Sequence, residues 1–270
     1  MITDGDNRSP QRRHDPWEGK RKLLAVADVQ TGYHHDVLSQ TLATLQRLGK
    51  DSEEFVTNIR TDSQLITRQP IIGQGAKYGG KRVNARGLDQ YDALFLLPSG
   101  EGTLSSQQKQ DLIDFVYQDG KGLIVGHAGL LGFYDWPDFA LMVGGGFGGE
   151  FMGTATVQID DPDFPGAAAF GQQDFEFTEQ HLVVKEPYCR DDVNVIFSLR
   201  AESVDPRHRE KRPNGDFPVI WSKTFGRGRI LNVGWGHLDA TWDDPRFQQF
   251  MLEGIMWAMG QVERNVEEKK

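Results

Sequence analysis

The chain has 270 residues, 38% of them hydrophobic with 16 Phe and 6 Trp, and a formal net charge of -9. That length and apolar content suit a sizeable α/β core, and the acidic balance argues against a nucleic-acid backbone as the main partner, because such binders need a basic face. The single cysteine, Cys189, excludes an intrachain disulfide and a cysteine-based zinc cluster, while no apolar run reaches the roughly 18–20 residues that span a bilayer and no apolar signal segment opens the chain, so a cytoplasmic location with no membrane partner is expected.

Residues 1–20 are polar and rich in charge, Gly and Pro, and are expected to form a disordered leader whose end Trp17 pins. Lys22–Ala27 is the first buried strand, and Asp28–His35 (DVQTGYHH) is the loop at its carboxyl end. Asp36 is the expected N-cap of a helix over Val37–Leu48, where Leu38, Leu42, Leu45 and Leu48 share one face and Gly49 closes it. A second strand follows over Glu53–Thr57. The polar, glycine-punctuated stretch Asn58–Asp89 is long for a loop in a compact domain, and is read as a surface insertion or a lid over the site.

Ala93–Leu97 is the third strand, with Pro98–Gly102 as its carboxyl-end loop. Ser105 is positioned to cap a helix running to about Gln118, with Leu112, Phe115 and Val116 on one face. Leu123–Val125 is the central strand, and Gly126-His127-Ala128-Gly129 follows it as a sharp turn. That turn has the outline of a nucleophile elbow with His where Ser or Cys would stand, at the strand end where open α/β sheets present their chemistry. The first half therefore reads as a doubly wound parallel sheet.

In the second half a helix over Phe139–Val143 runs into the glycine-rich Gly144–Glu150. This is not a phosphate-binding loop, and no strand precedes it, so no nucleotide cofactor is expected. Thr154–Ile159 and Val193–Leu199 read as strands, Phe175–Phe177 leads into Thr178-Glu179-Gln180-His181, and residues 205–216 form a basic, turn-rich loop. Pro218–Ser222 and Arg229–Val233 read as a hairpin through Gly226–Gly228, with Trp235-Gly236-His237 after its second strand. The last helix, Pro245–Gly260, carries Phe247, Phe250, Met251, Ile255, Trp257 and Met259 and is expected to pack on the sheet. A charged tail closes the chain at 262–270, leaving one domain over 21–261.

Taken in order, Tyr33-His34, LIVGHAG at 123–129, VGGGFGGEF at 143–151, FTEQH at 177–181 and the closing PVIW…FGRGRILNVGWGHLDATWDDPRFQQFMLEGIMWAMG at 218–260 resemble the ThuA-like, trehalose-utilisation family within the class I glutamine amidotransferase-like superfamily. The closing motif is the specific part. The resemblance implies a flavodoxin-like doubly wound fold with added antiparallel strands in the C-terminal half. It implies a role in carbohydrate metabolism through cleavage of 3-keto-glycosides, with a small-molecule sugar derivative as partner. True class I amidotransferases carry Cys at the elbow where this chain has His127, so no glutaminase activity is implied. Family members often have His where this chain has Glu150.

His127, His34 and His237 each follow a strand and a turn, and three imidazoles at such loops point to a shared site. His35 is the alternative to His34. Together with Glu150 or Glu179 they would suit a zinc-like divalent ion, or acid–base work without one. For a 3-keto-glycoside, Glu179 or a His would be the base that removes the C2 proton, and His127 or His237 the ligand or acid. Glu179 has a bland alternative as a solvated strand-end charge, and Glu150 as loop architecture. Glu101, Tyr33, Trp136 and Trp235, with Trp242, are candidates to hold the sugar, the tryptophans equally for the core. His14, His181, Glu186 and His208 are expected on the surface, Cys189 as an inert thiol, and Arg207–Arg212 as a solvated loop. A non-catalytic sugar-binding or regulatory module on the same scaffold is the alternative function, and a homo-oligomer is compatible with the sequence.

Overall fold

The computed structural model describes residues 17–100 and 102–262. Nearly all of the expected leader, the tail beyond Val262, His14 and Glu101 lie outside them. Four apolar runs form the centre: β1 (Arg21–Ala27), β3 (Ala93–Leu97), β4 (Gly122–Gly126) and β9 (Gly228–Val233). They are buried almost throughout, as parallel strands covered on both faces must be. With β2 (Phe55–Arg60), β5 (Gly146–Ile159), β6 (Phe175–Lys185), β7 (Asn194–Leu199) and β8 (Pro218–Phe225) they make one nine-stranded sheet in the order β2-β1-β3-β4-β9-β8-β7-β5-β6. Pairing is parallel from β2 to β9 and antiparallel from β9 to β6. This is the expected doubly wound sheet with antiparallel strands added by the C-terminal half.

Two helices cover each face of the parallel half. Leu38, Leu42, Leu45 and Leu48 of the helix Leu38–Ser52 share a core with Phe247, Phe250, Met251 and Ile255 of the helix Pro245–Ala258, against Ala25, Phe95, Ile124 and Leu231. On the other face Leu112, Phe115 and Val116 of the helix Ser106–Tyr117 and Phe139 and Met142 of the helix Pro137–Val143 pack on Leu24, Leu94, Val125 and Ile230. Ser105 caps its helix as expected and forms a full capping box with Gln108, an arrangement that contributes about 1 kcal/mol.

Several boundaries differ from the sequence expectation. The first helix begins at Leu38 without a side-chain cap, and Asp36 stays exposed. It continues through Gly49 to Ser52, because Gly49 is there for packing: a Cβ on it would meet the Phe55 ring at 2.6 Å. The turn to the left-handed region falls on Glu53 instead, and β2 starts at Phe55. The insertion after β2 is not a lid. Its Thr67 hydroxyl and Arg68 N–H donate to buried Asp111 of the helix Ser106–Tyr117, and it contributes no wall to the cavity described below.

From Gly146 onward the glycine run is strand, not loop. β5 opens at Gly146, bulges between Phe147 and Gly149, and lies against the His208 ring, which a Cβ on Gly149 would approach to 2.5 Å. His181 and His208, expected on the surface, are buried, and both rings pack against Phe151. Trp17 does anchor its segment, with the Arg86 guanidinium 4.1 Å above its ring. No described helix is long and apolar enough to cross a membrane.

Candidate active site

The parallel strands β1, β4 and β9 end at the same edge of the sheet, β3 lying between β1 and β4, and each of the three is followed by one histidine of a cluster. His35 comes from the loop after β1, His127 from the turn directly after β4, and His237 from the turn after β9. The three rings stand edge to face with centroids 5.1–5.3 Å apart. One nitrogen from each lies within 4.8 Å of the others. His127 has a positive φ of 31°, a conformation that L side chains avoid and that strand-to-helix turns at functional sites tolerate. The elbow outline seen in the sequence is therefore present, with an imidazole at its apex.

Burial sets the protonation of these rings. His127 is 1% exposed, and removal from water lowers its pKa to about 3. Burial also lowers His35 to about 4, helped by the neighbouring His237. Both are neutral near pH 7, the state that ligates metal or accepts a proton. The tautomer of His127 follows from its partners. Its Nδ1 lies 3.1 Å from Gly234 O, which only accepts, so Nδ1 carries the proton and Nε2 presents a lone pair. Nε2 faces His237 Nδ1 at 3.2 Å and the Gln180 side-chain amide at 3.1 Å. With Nδ1 protonated, a hydrogen bond at that distance requires the Gln180 amide to turn its N–H toward the lone pair. His35 Nδ1 is buried with no hydrogen-bond partner.

Glu179 does not face the cavity. It is 0% exposed, and its carboxylate accepts from the backbone N–H groups of Gln180, Gly236 and His237 and from the Thr241 hydroxyl. Burial raises its pKa, while the four donors favour the anion. Glu179 thus ties β6 to the turn that carries His237. That turn requires glycine: Gly236 has φ 114° with the Trp242 indole against it.

A cavity of about 400 Å³ opens over the cluster. The loop after β1 lines it with Tyr33 and His35, the loop after β3 with Ser99 and Gly100, the turn after β4 with Leu131 and Tyr134, and the antiparallel arm with Glu150 and Gln180. His237 completes it. Of the sugar-holding candidates, Tyr33 is here and 61% exposed, whereas Trp136, Trp235 and Trp242 are core residues: Trp235 packs on Phe177 and Phe197, and Trp136 on Phe133. His34 is exposed and outside the cluster, and His35 takes its place, because the loop turns one of two adjacent side chains inward. Glu150 lines the cavity yet is not among the three grouped ligands; its backbone carbonyl meets His208 Nε2 at 2.9 Å. Cys189 is exposed and is not among the residues that line the cavity.

Gln180 and Tyr134 were not singled out from the sequence. The signal for Gln180 was strand alternation. Phe175, Phe177 and Glu179 share one face of β6, so Gln180 faces the other way and meets the cluster.

The molecule is thus an open α/β protein with a three-imidazole cluster at the carboxyl ends of its parallel strands. The family model for ThuA, trehalose utilisation, matches residues 23–258, and the chain belongs to that family. Among solved structures, a ThuA-like protein from Parabacteroides merdae superposes with a TM-score of 0.64 at 15% identity, covering 92% of each chain. A second, from Bacteroides uniformis, gives 0.62 at 17% identity, covering 88% of this chain and 91% of that one. A β-galactosidase from Bacillus circulans matches over 31% of its own length and 89% of this chain, with a TM-score of 0.53 at 11% identity. At such identities the likeness is one of fold. A comparison with curated protein sequences gives no match.

Proposed function

We propose that this chain is a carbohydrate-active enzyme that cleaves 3-keto-glycosides, and that His35, His127 and His237 hold a zinc-like divalent ion. The observation that carries this is the convergence of three imidazoles, two of them held neutral, beside a cavity of sugar size at the strand ends. Family membership supports the carbohydrate role. The donor set fits a borderline ion: all nitrogen, one tautomer fixed by Gly234 O, one buried nitrogen without a partner. Such an ion would supply Lewis-acid stabilisation of negative charge on the 3-keto oxygen.

The remaining chemistry belongs to the chain. A 3-keto group acidifies the C2 proton. Glu150, a residue of the cavity wall, takes this proton, since the Glu179 carboxylate is fully engaged. The electron pair left at C2 forms the C1–C2 double bond as the C1–O bond breaks, and the proton passes to the departing glycosidic oxygen. Addition of water to the resulting enone completes a net hydrolysis. Gln180 orients His127, and Glu179 holds the His237 turn.

The test is release of nitrophenol from 4-nitrophenyl 3-keto-β-glucoside, with and without chelator, against the ordinary glucoside. Selective release abolished by chelator is the expected result. Selective release that survives chelator removes the ion and leaves the imidazoles as acid–base groups. No release from either compound overturns the enzyme and favours a sugar-binding module.

A further inference from the structure

Two tyrosines stand at the mouth of the cavity, and only Tyr33 was expected there. Tyr134 is 55% exposed and lines the same cavity. Its placement comes from Phe133, a non-glycine residue with φ 58°. That left-handed turn sends Phe133 inward, onto Trp136 and Phe139, and leaves the next side chain outside. Such a conformation is unfavourable for an L side chain and persists where the surroundings enforce it. Here the Phe133 N–H donates to Gly100 O, and Gly100 N–H to Leu131 O, stapling the turn after β4 to the loop after β3. Tyr33 N–H in turn donates to Ser99 O, and the Tyr33 ring stands edge-on to His35 at 4.8 Å. Both tyrosines therefore rest on one cross-linked set of loops.

The charge of the wall is as informative as its aromatics. Among the described residues lining the cavity none is Lys or Arg, and the one acidic residue is Glu150. A phosphate or carboxylate on the ligand would meet no cationic side chain there and one repelling charge. Aromatic faces with a polar tip are suited to the apolar face of a ring that keeps its hydroxyls wet.

We infer that Tyr134, with Tyr33, forms a rim that stacks on the leaving-group ring of an uncharged glycoside, making Tyr134 a specificity-determining residue. The reaction part rests on the function proposed above; the binding part does not, and is tested separately.

The experiment is ligand binding by isothermal titration with three unoxidised probes: 4-nitrophenyl β-glucoside, methyl β-glucoside and 4-nitrophenyl β-glucoside 6-phosphate. It is run on the full chain and on Tyr134→Ala and Tyr134→Phe, with thermal melting of each variant as the folding control. Expected is a loss of about fivefold to tenfold for the nitrophenyl glucoside in Tyr134→Ala, consistent with one aromatic contact. Methyl glucoside binding stays unchanged, Tyr134→Phe retains the affinity that Tyr134→Ala loses, and the 6-phosphate binds at least about tenfold more weakly than the neutral compound. Equal losses for methyl and nitrophenyl glucosides, no loss at all, or tighter binding of the phosphate would overturn it. Binding that follows the expected pattern without turnover of the 3-keto compound leaves this inference standing and removes the proposed reaction. If the unmodified chain binds neither glucoside, the rim falls as well.

Discussion

β1, β4 and β9 end at the cavity, whereas β5 and β6 pass beside it. In the parallel half the candidate groups stand just beyond the strand, on loops that carry His35, His127 and His237. In the antiparallel arm they sit within strands: Glu150 on β5, Glu179 and Gln180 on β6. Loops after parallel strands bring side chains together from separate elements; a strand supplies groups whose spacing is fixed by the sheet. The arm therefore acts as a brace. Glu179 reaches through the interior to the backbone of Gly236 and His237, so the two halves are joined by a carboxylate beneath the cluster.

The comparison breaks most sharply at His127. His127→Ala is expected to lower turnover of the 3-keto-glycoside by about 10²–10⁴, the usual range for a group that positions or transfers protons, measured as initial rates. A rate within a few-fold of the unmodified chain would show that the parallel-strand edge is not the reacting edge.

Glu179→Gln tests the brace. The amide places N–H groups against donors from Gly236 or Thr241, leaving at least one buried group unpaired, at a cost of about 1–3 kcal/mol in stability. Affinity for zinc, followed by competition with a chromogenic chelator, is expected to drop by about 10–100-fold, as for other supporting residues of metal sites. Unchanged zinc affinity beside a lowered melting temperature would make Glu179 purely a fold residue.

Acid separates the halves in another way. His35 and His127 have folded-state pKa values of about 4 and about 3, below the unfolded 6.5. Between these limits the unfolded chain binds more protons than the native one, so stability falls as pH drops below 6.5 and levels off once the folded-state values are passed. Urea unfolding at stepped pH is expected to show this slope, and His35→Gln to flatten it. His181, lowered to about 4 by burial in the arm, contributes in the same sense. An unchanged slope in His35→Gln would remove His35 as a source and leave the acid sensitivity to His127 and His181.

The smallest effect is expected at His34. His34→Ala should change stability by no more than about 0.5 kcal/mol and leave turnover as it was, because the side chain is exposed. A strong loss there would reverse the choice between His34 and His35.

The order of strands and helices was legible because their apolar periodicities are local. Leu38, Leu42 and Leu45 define a helix face, Ala93–Leu97 a buried strand, and the small residues around His127 an elbow, without reference to anything distant. The same local logic marked His127 and His237 as strand-end groups. What it could not do was choose among neighbours or assign an interior. Which of His34 and His35 turns inward depends on how the loop after β1 lies on β4 and β9. Glu179 looks like a solvated charge until Gly236, His237 and Thr241, more than fifty residues away, bring their donors to it. Trp136 and Trp235 look like sugar platforms until the core closes over them, and Tyr134 is exposed only because the turn at Phe133 is held left-handed by Gly100. Sequence by itself determined the elements and the edge at which they end; tertiary structure decided which side chains meet there, because burial and hydrogen-bond partners are properties of distant segments brought together.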